Sequence, residues 1–216
     1  MKNLLYRLRA HIVIILIPLI KFIGKVKAPF MEKPGLYHYY EIEKILRPGD
    51  IILSTISGHL SNIANPSPIK HAIAYYGLSQ HGQQEVPYIV EAIGEGVVKR
   101  PLLHCIGEKN YIAIMRPKET VFPFTAENIR KFQNFLDSCV GAKYDFKFLL
   151  NEDGSVETTQ NKFQNFYCSE LCFLALKNVF PEGLFELRET WGVKTVTPSD
   201  FFNAREKFDL VYELNV

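Results

Sequence analysis

No acidic residue precedes Glu32, no internal repeat or low-complexity tract interrupts the 216 residues, and the four cysteines stand at no spacing that would build a metal site or a disulfide framework. Each absence excludes something. Cys105, Cys139, Cys168 and Cys172 match neither a small secreted disulfide scaffold nor a zinc motif. Cys168 and Cys172 do fall four apart, but no second cysteine or histidine pair stands nearby to complete a tetrahedral site. With 47% hydrophobic and 22% charged residues, the chain lacks the polar bias of disordered proteins and is long enough to bury a sizeable core.

The missing acids at the N-terminus expose an asymmetry. Six basic residues (Lys2, Arg7, Arg9, Lys21, Lys25 and Lys27) precede Glu32, while the formal net charge of the whole chain is only +2. The rest is left at about −4, which speaks against a nucleic-acid footprint on the main body. Within this basic stretch lies the apolar run Ile12 to Ile20, continued past Lys21 to Ile23. As a helix it would cover roughly 18 Å against a ~30 Å hydrocarbon core, too short for an ordinary span. No small-x-small cleavage site follows it, as a signal peptide would require. The reading that fits is an uncleaved anchor or interfacial segment over residues 1–28, its lysines reaching anionic headgroups. The expected location is therefore a membrane surface or the cell envelope. A hydrophobic helix packed on the domain is the alternative, and a cytoplasmic location stays open with it.

Residues 29–45, with Pro29 and Pro34, read as a linker, and 46–216 as the folded domain. "PGDIILSTI" turns into a strand at Ile51 to Thr55. The segments "HAIAYYGL" and "VPYIVEAI" read as two strands joined by the glycine-containing "SQHGQQE", and "GVVKRPL" and "YIAIMRP" supply two more. After Pro123 the period changes. Thr125 caps a helix that places Ile129, Phe132, Leu136 and Cys139 on one face. "GAKYDFKFLL" reads as a further helical turn. A second helix opens at Cys168 with Leu171, Cys172, Ala175 and Val179 on a stripe, and Phe208 to Leu214 is a closing strand. Strands first and helices gathered behind them give an α+β fold.

Cys168 is the first chemical candidate. Buried packing is the common fate of a free cysteine, but a thiol at a helix start meets unpaired N–H groups and the positive end of the dipole, which favour thiolate. The same N–H groups can receive an oxyanion. Cys172, one turn deeper, has neither benefit. A cysteine nucleophile needs a base. Of six histidines, His71 opens a strand just after a loop, where a rigid element can present it to a cleft, with His59 as the spare candidate. Glu91 interrupts the apolar "YIVEAI", where a carboxylate is costly unless it is paired or solvated. On a neighbouring strand it could fix the tautomer of His71. Tyr144 in "GAKYD" could donate to an oxyanion or serve as a half-buried aromatic.

Together, "RPGDIILS", "KHAIAYYG", "YIVEAIGEGVV", "GAKYDF", "FYCSELCFLAL" and "TPSDFF" resemble the YiiX/YebB-like family of circularly permuted papain-fold cysteine hydrolases, relatives of the NlpC-type peptidases. The likeness runs from about Leu46 to the end. It implies an antiparallel sheet packed against helices, with the nucleophile on Cys168, the base on His71 and the third polar residue on Glu91. It implies no metal and no organic cofactor. The substrate it implies is a peptide or other amide, with lipid acyl chemistry on the same fold as an alternative and a non-catalytic binding module as a third reading. The polar hairpin "LSQHGQQEVP" between His71 and Glu91 departs from the family pattern, and either narrows the cleft or contacts a partner.

Overall fold

The computed structural model describes residues 36–55, 69–107, 109–145, 165–180, 184–190 and 193–215. Residues 1–28, His59 and the second half of "GAKYDFKFLL" lie outside that set. Among the described residues no helix is long and apolar enough to cross a membrane.

The fold is α+β, as expected. Its frame is a six-stranded antiparallel sheet of β1 (Ile51–Thr55), β2 (His71–His81), β3 (Gln84–Ile93), β4 (Gly96–Pro101), β5 (Tyr111–Pro117) and β8 (Phe208–Asn215). Their order is β4-β3-β2-β1-β5-β8, and β6 (Arg188–Thr190) with β7 (Val193–Thr195) forms a separate pair. Strand side chains alternate between faces, so the central strands feed two cores. Ile51, Leu53, Ala72, Ala74, Val90 and Ala92 point to one, and Ile52, Ile73, Tyr75 and Ile89 to the other.

On the first face lie α3 (Ala126–Cys139) and α4 (Cys168–Val179). Thr125 caps α3 by accepting from the Asn128 N–H at 3.2 Å, and Phe132, Phe135, Leu136 and Cys139 are buried. All nine residues from Cys168 to Leu176 are buried, so the single apolar stripe expected for α4 is replaced by a helix enclosed on every side until its last turn, where Asn178 is exposed. It packs on α3, β2 and β3. The short α5 (Pro198–Asn203) closes the layer, with the Asp200 carboxylate accepting from the Thr197 N–H at 2.7 Å and hydroxyl at 2.9 Å.

The second face is covered by α1 (Leu36–Ile45) and α2 (Leu103–Ile106). Residues 36–45 had been expected in a linker; instead they form a helix that buries Ile42. Its end is tied down by the buried Asp50, which accepts from the Arg116 Nε at 2.9 Å, the Arg116 Nη2 at 2.7 Å and the Arg47 N–H at 2.8 Å. Arg116 also donates to the Ile45 carbonyl, so one ion pair joins α1, β1 and β5.

Two further expectations are corrected. Gly141–Asp145 is not helical: Gly141, in a turn with φ +89°, donates to the Val97 carbonyl, the Val97 N–H donates to the Ala142 carbonyl, and Lys143–Asp145 then runs extended beside Phe166. The β2–β3 hairpin turns at Gly82 and Gln83, ten residues along β2 from His71. At about 3.3 Å per residue its tip stands roughly 33 Å away, so it does not narrow a cleft at His71.

Candidate active site

The ladder between β2 and β3 ends at the pair Ala74–Val90. Beyond it the strands part, and the N-terminus of α4 comes in at the gap. The Ala72 N–H, with no partner on β3, donates to the Cys168 sulfur, as does the Ser169 N–H in the first turn of α4. Continuing the Ala74–Val90 register sets Glu91 opposite Ile73, which makes it a diagonal neighbour of His71 on the same face. The His71 Nε2 lies 2.6 Å from the Glu91 Oε2. With one ring nitrogen engaged by the carboxylate, the other serves the thiol, and His71 hydrogen-bonds Cys168.

Cys168 is 6% exposed and Glu91 1%, whereas His71 keeps 17% of its side chain open to solvent. Solvent therefore reaches the imidazole, while the thiol and the carboxylate are both buried. Burial opposes charge on both Cys168 and His71, yet their mutual attraction and hydrogen bond outweigh it. The thiol is held below its usual range and the imidazole is raised to about 9, aided by Glu91. Glu91 is itself resisted by burial, but His71, Arg100 and Lys109 bring its carboxyl down to about 2. The shifts of all three groups run toward a thiolate–imidazolium pair backed by a carboxylate. By contrast, burial drives the Cys172 thiol well above its usual range, and Cys105 and Cys139 up to about 12. Only one of the four thiols is activated.

The helix start is fixed from several sides. The Glu170 carboxyl oxygen accepts from the Tyr167 N–H at 3.4 Å, the Tyr167 hydroxyl accepts from the Val196 N–H at 3.2 Å, and the Ser169 hydroxyl donates to the Val196 carbonyl at 2.8 Å. Tyr144 forms a parallel bridge with Phe166, two residues before the thiol. Burial first, then the charges of Cys168 and Asp145, push its phenol well above the usual range, so the hydroxyl keeps its proton and remains a donor.

The structure thus brings Cys168, His71, Glu91 and Tyr144 to one place. Arg100 was missed by sequence reasoning. Its guanidinium pairs with the Glu91 Oε1 from β4. The signal was alternation in "GVVKRP": Val98 and Arg100 share the face of Glu91, but only the register Glu91–Val98 and Ile89–Arg100 brings them together. Among the described residues no cluster of three or more histidines, cysteines or carboxylates could hold a metal ion.

Among known proteins, the family model described as permuted papain-like amidase enzyme, YaeF/YiiX, C92 family, matches residues 45–212. No curated protein and no solved structure gives a significant match.

Proposed function

Because the chain belongs to the permuted papain-like amidases, we propose that it hydrolyses an amide bond with Cys168 as nucleophile, His71 as base and acid, and Glu91 holding the imidazole. The observation that carries this reading is the buried chain of contacts from the Cys168 thiol through His71 to the Glu91 Oε2 at 2.6 Å.

The steps follow from that chain. The Cys168 thiolate adds to the amide carbonyl, and the oxyanion is received by N–H groups at the start of α4 with the Tyr144 hydroxyl as a further donor. Collapse of the tetrahedral intermediate breaks the C–N bond while the His71 imidazolium gives its proton to the departing amine. This leaves a thioester on Cys168 and a neutral imidazole. His71 then takes a proton from water, the hydroxide adds to the thioester, and the carboxylic acid leaves as the thiolate is restored. Every proton released in one half is consumed in the other.

The test is a panel of acylated amines and short peptides, scored for released amine and for a thioester mass on Cys168. Turnover that vanishes in Cys168→Ala while the fold persists supports the reading; turnover that survives the substitution refutes it.

A lipid acyl group is the second substrate class, favoured by one observation: the basic, apolar stretch before Glu32. In this reading that stretch holds the domain at an anionic membrane surface. Flotation with vesicles containing anionic lipid, but not with neutral ones, is the expected result. Loss of residues 1–28 abolishes it, and equal flotation without them counts against a membrane role.

A further inference from the structure

Glu91 is 1% exposed, and beside His71, which does most to keep it charged, a second cation faces it. Glu91 spends its two oxygens on different partners. Oε2 faces the His71 Nε2 at 2.6 Å, and Oε1 faces the Arg100 guanidinium. The two partners come from the strands on either side, β2 and β4. Arg100 is a diagonal neighbour of Glu91 in the β3–β4 register, so the row His71, Glu91, Arg100 crosses three adjacent strands on one face. Other groups facing this carboxylate are Lys109, ahead of β5, whose charge also favours the ionised form, the Cys105 thiol of α2 and the Cys172 thiol of α4. Arg100 is 32% exposed, against 1% for its partner. A carboxyl free to rotate, or to take up a proton, would no longer hold the imidazole in the orientation that serves the thiol.

We infer that Arg100 is a positioning residue for this site: its guanidinium fixes and charges Glu91, and through Glu91 it sets the orientation of His71 and the acid stability of the thiolate–imidazolium pair. Arg100 stands two partners away from the sulfur and touches no reacting atom. Its loss therefore lowers kcat with KM little changed, and moves the acid limb of Cys168 reactivity toward neutral pH. The contact is a single one, from Nη2 to Oε1, so lysine in its place keeps the charge but not the reach and rigid plane of the guanidinium, and restores part of both effects.

This inference rests on the reading of Cys168 as nucleophile, and the experiment separates the two. Alkylation of Cys168 by iodoacetamide is followed from pH 4 to 10 in wild type, Arg100→Gln, Arg100→Lys, Glu91→Gln and the double variant Glu91→Gln/Arg100→Gln. Turnover of an amide substrate and melting temperature are measured beside it. Wild type reacting only with an ordinary thiol limb near ~8.5 overturns the nucleophile reading and Arg100's role with it. Wild type with a depressed limb upholds that reading. Arg100→Gln is then expected to raise the limb by about one pH unit and to lower kcat about tenfold, as for loss of one charge-assisted contact. In the Glu91→Gln background the same substitution adds nothing, because its route to His71 is already cut. An unmoved limb in Arg100→Gln, or an equal further loss in the double variant, overturns the role of Arg100 alone. Should Arg100→Gln fail to fold, Arg100→Lys carries the test, with a smaller displacement in the same direction expected and an unmoved limb overturning it.

Discussion

Cys168 and Cys172 sit one turn apart on the same buried helix, and their environments push their thiols in opposite directions. Burial acts on both; only Cys168 has His71 beside it and two backbone N–H groups on its sulfur. Iodoacetamide at pH 7 is therefore expected to modify Cys168 in the folded protein and leave Cys172 intact, with peptide mapping as the check. Glu170 makes a second residue-scale prediction. Burial, reinforced by the nearby Asp145 and only partly offset by the Tyr167 N–H, raises its carboxyl from 4.5 to about 8. Between those values the folded chain binds a proton that the unfolded chain has released, so stability falls as pH rises through this window. Glu170→Gln keeps an acceptor for the Tyr167 N–H and has no charge to bury. Its melting temperature should match wild type near pH 4 and exceed it at pH 8; equal values at both would show that Glu170 is not protonated in the fold. At this scale the sequence was most legible for His71, Glu91 and Cys168, because their residue types are costly where they stand and their order matched a pattern. Arg100 carried no such mark, since a cation at the end of an edge strand is ordinary until its neighbour is known.

At the level of elements, the ion pair of Asp50 and Arg116 joins the end of α1 to β1 and β5. Removing one partner leaves the other uncompensated, Asp50 being wholly buried. Arg116→Ala should cost about 3–5 kcal/mol in urea denaturation, and a loss below 1 kcal/mol would mean the pair holds nothing together. Gly96 is the second weak point. It has φ +122°, and a Cβ there would stand 2.4 Å from the Ala142 carbonyl oxygen. That carbonyl belongs to the segment carrying Tyr144. Gly96→Ala is expected to destabilise by about 1–3 kcal/mol and to lower kcat more than it changes KM; wild-type stability would exclude a close approach there. These contacts also explain the misread elements. Alanine and lysine in "GAKYDF" suit a helix, but pairing with Val97 and then with Phe166 holds the backbone out of one. The tyrosine-rich 36–45 has a weak amphipathic pattern after two prolines, and it folds as a helix because the far face of the sheet needs a cover. Tertiary packing decided both, and neither is written locally. Strands that are short continuous apolar runs buried on both faces, β1 and β5 among them, were legible almost to their ends.

Across the whole molecule, the sheet carries one core on each face, and the candidate site occupies the end of β2 where the N-terminus of α4 reaches the sheet. His71 and Glu91 belong by alternation to one face, while the helix bearing Cys168 packs on the other. The site therefore depends on the assembled layers, and a partly folded chain should lose Cys168 selectivity before it loses secondary structure. The same pairing fixes the pH behaviour. Hydrolysis needs both the thiolate and the imidazolium, so kcat/KM should rise once Cys168 ionises and fall as His71 loses its proton at about 9. Alkylation needs only the thiolate and should show no alkaline fall. A kcat/KM that stays level above pH 9, like the alkylation rate, would mean the imidazolium is not the proton donor to the leaving amine.

The most direct measurement is labelling of purified protein with an electrophilic acyl or epoxide probe, comparing wild type with Cys168→Ala, His71→Ala and Cys172→Ala, with the adduct located by mass spectrometry. A single adduct on Cys168 is expected, lost in Cys168→Ala, at least tenfold slower in His71→Ala and unchanged in Cys172→Ala. Labelling of Cys168 at the same rate with and without His71, or no labelling of Cys168 in the folded protein, would contradict an activated nucleophile at the start of α4.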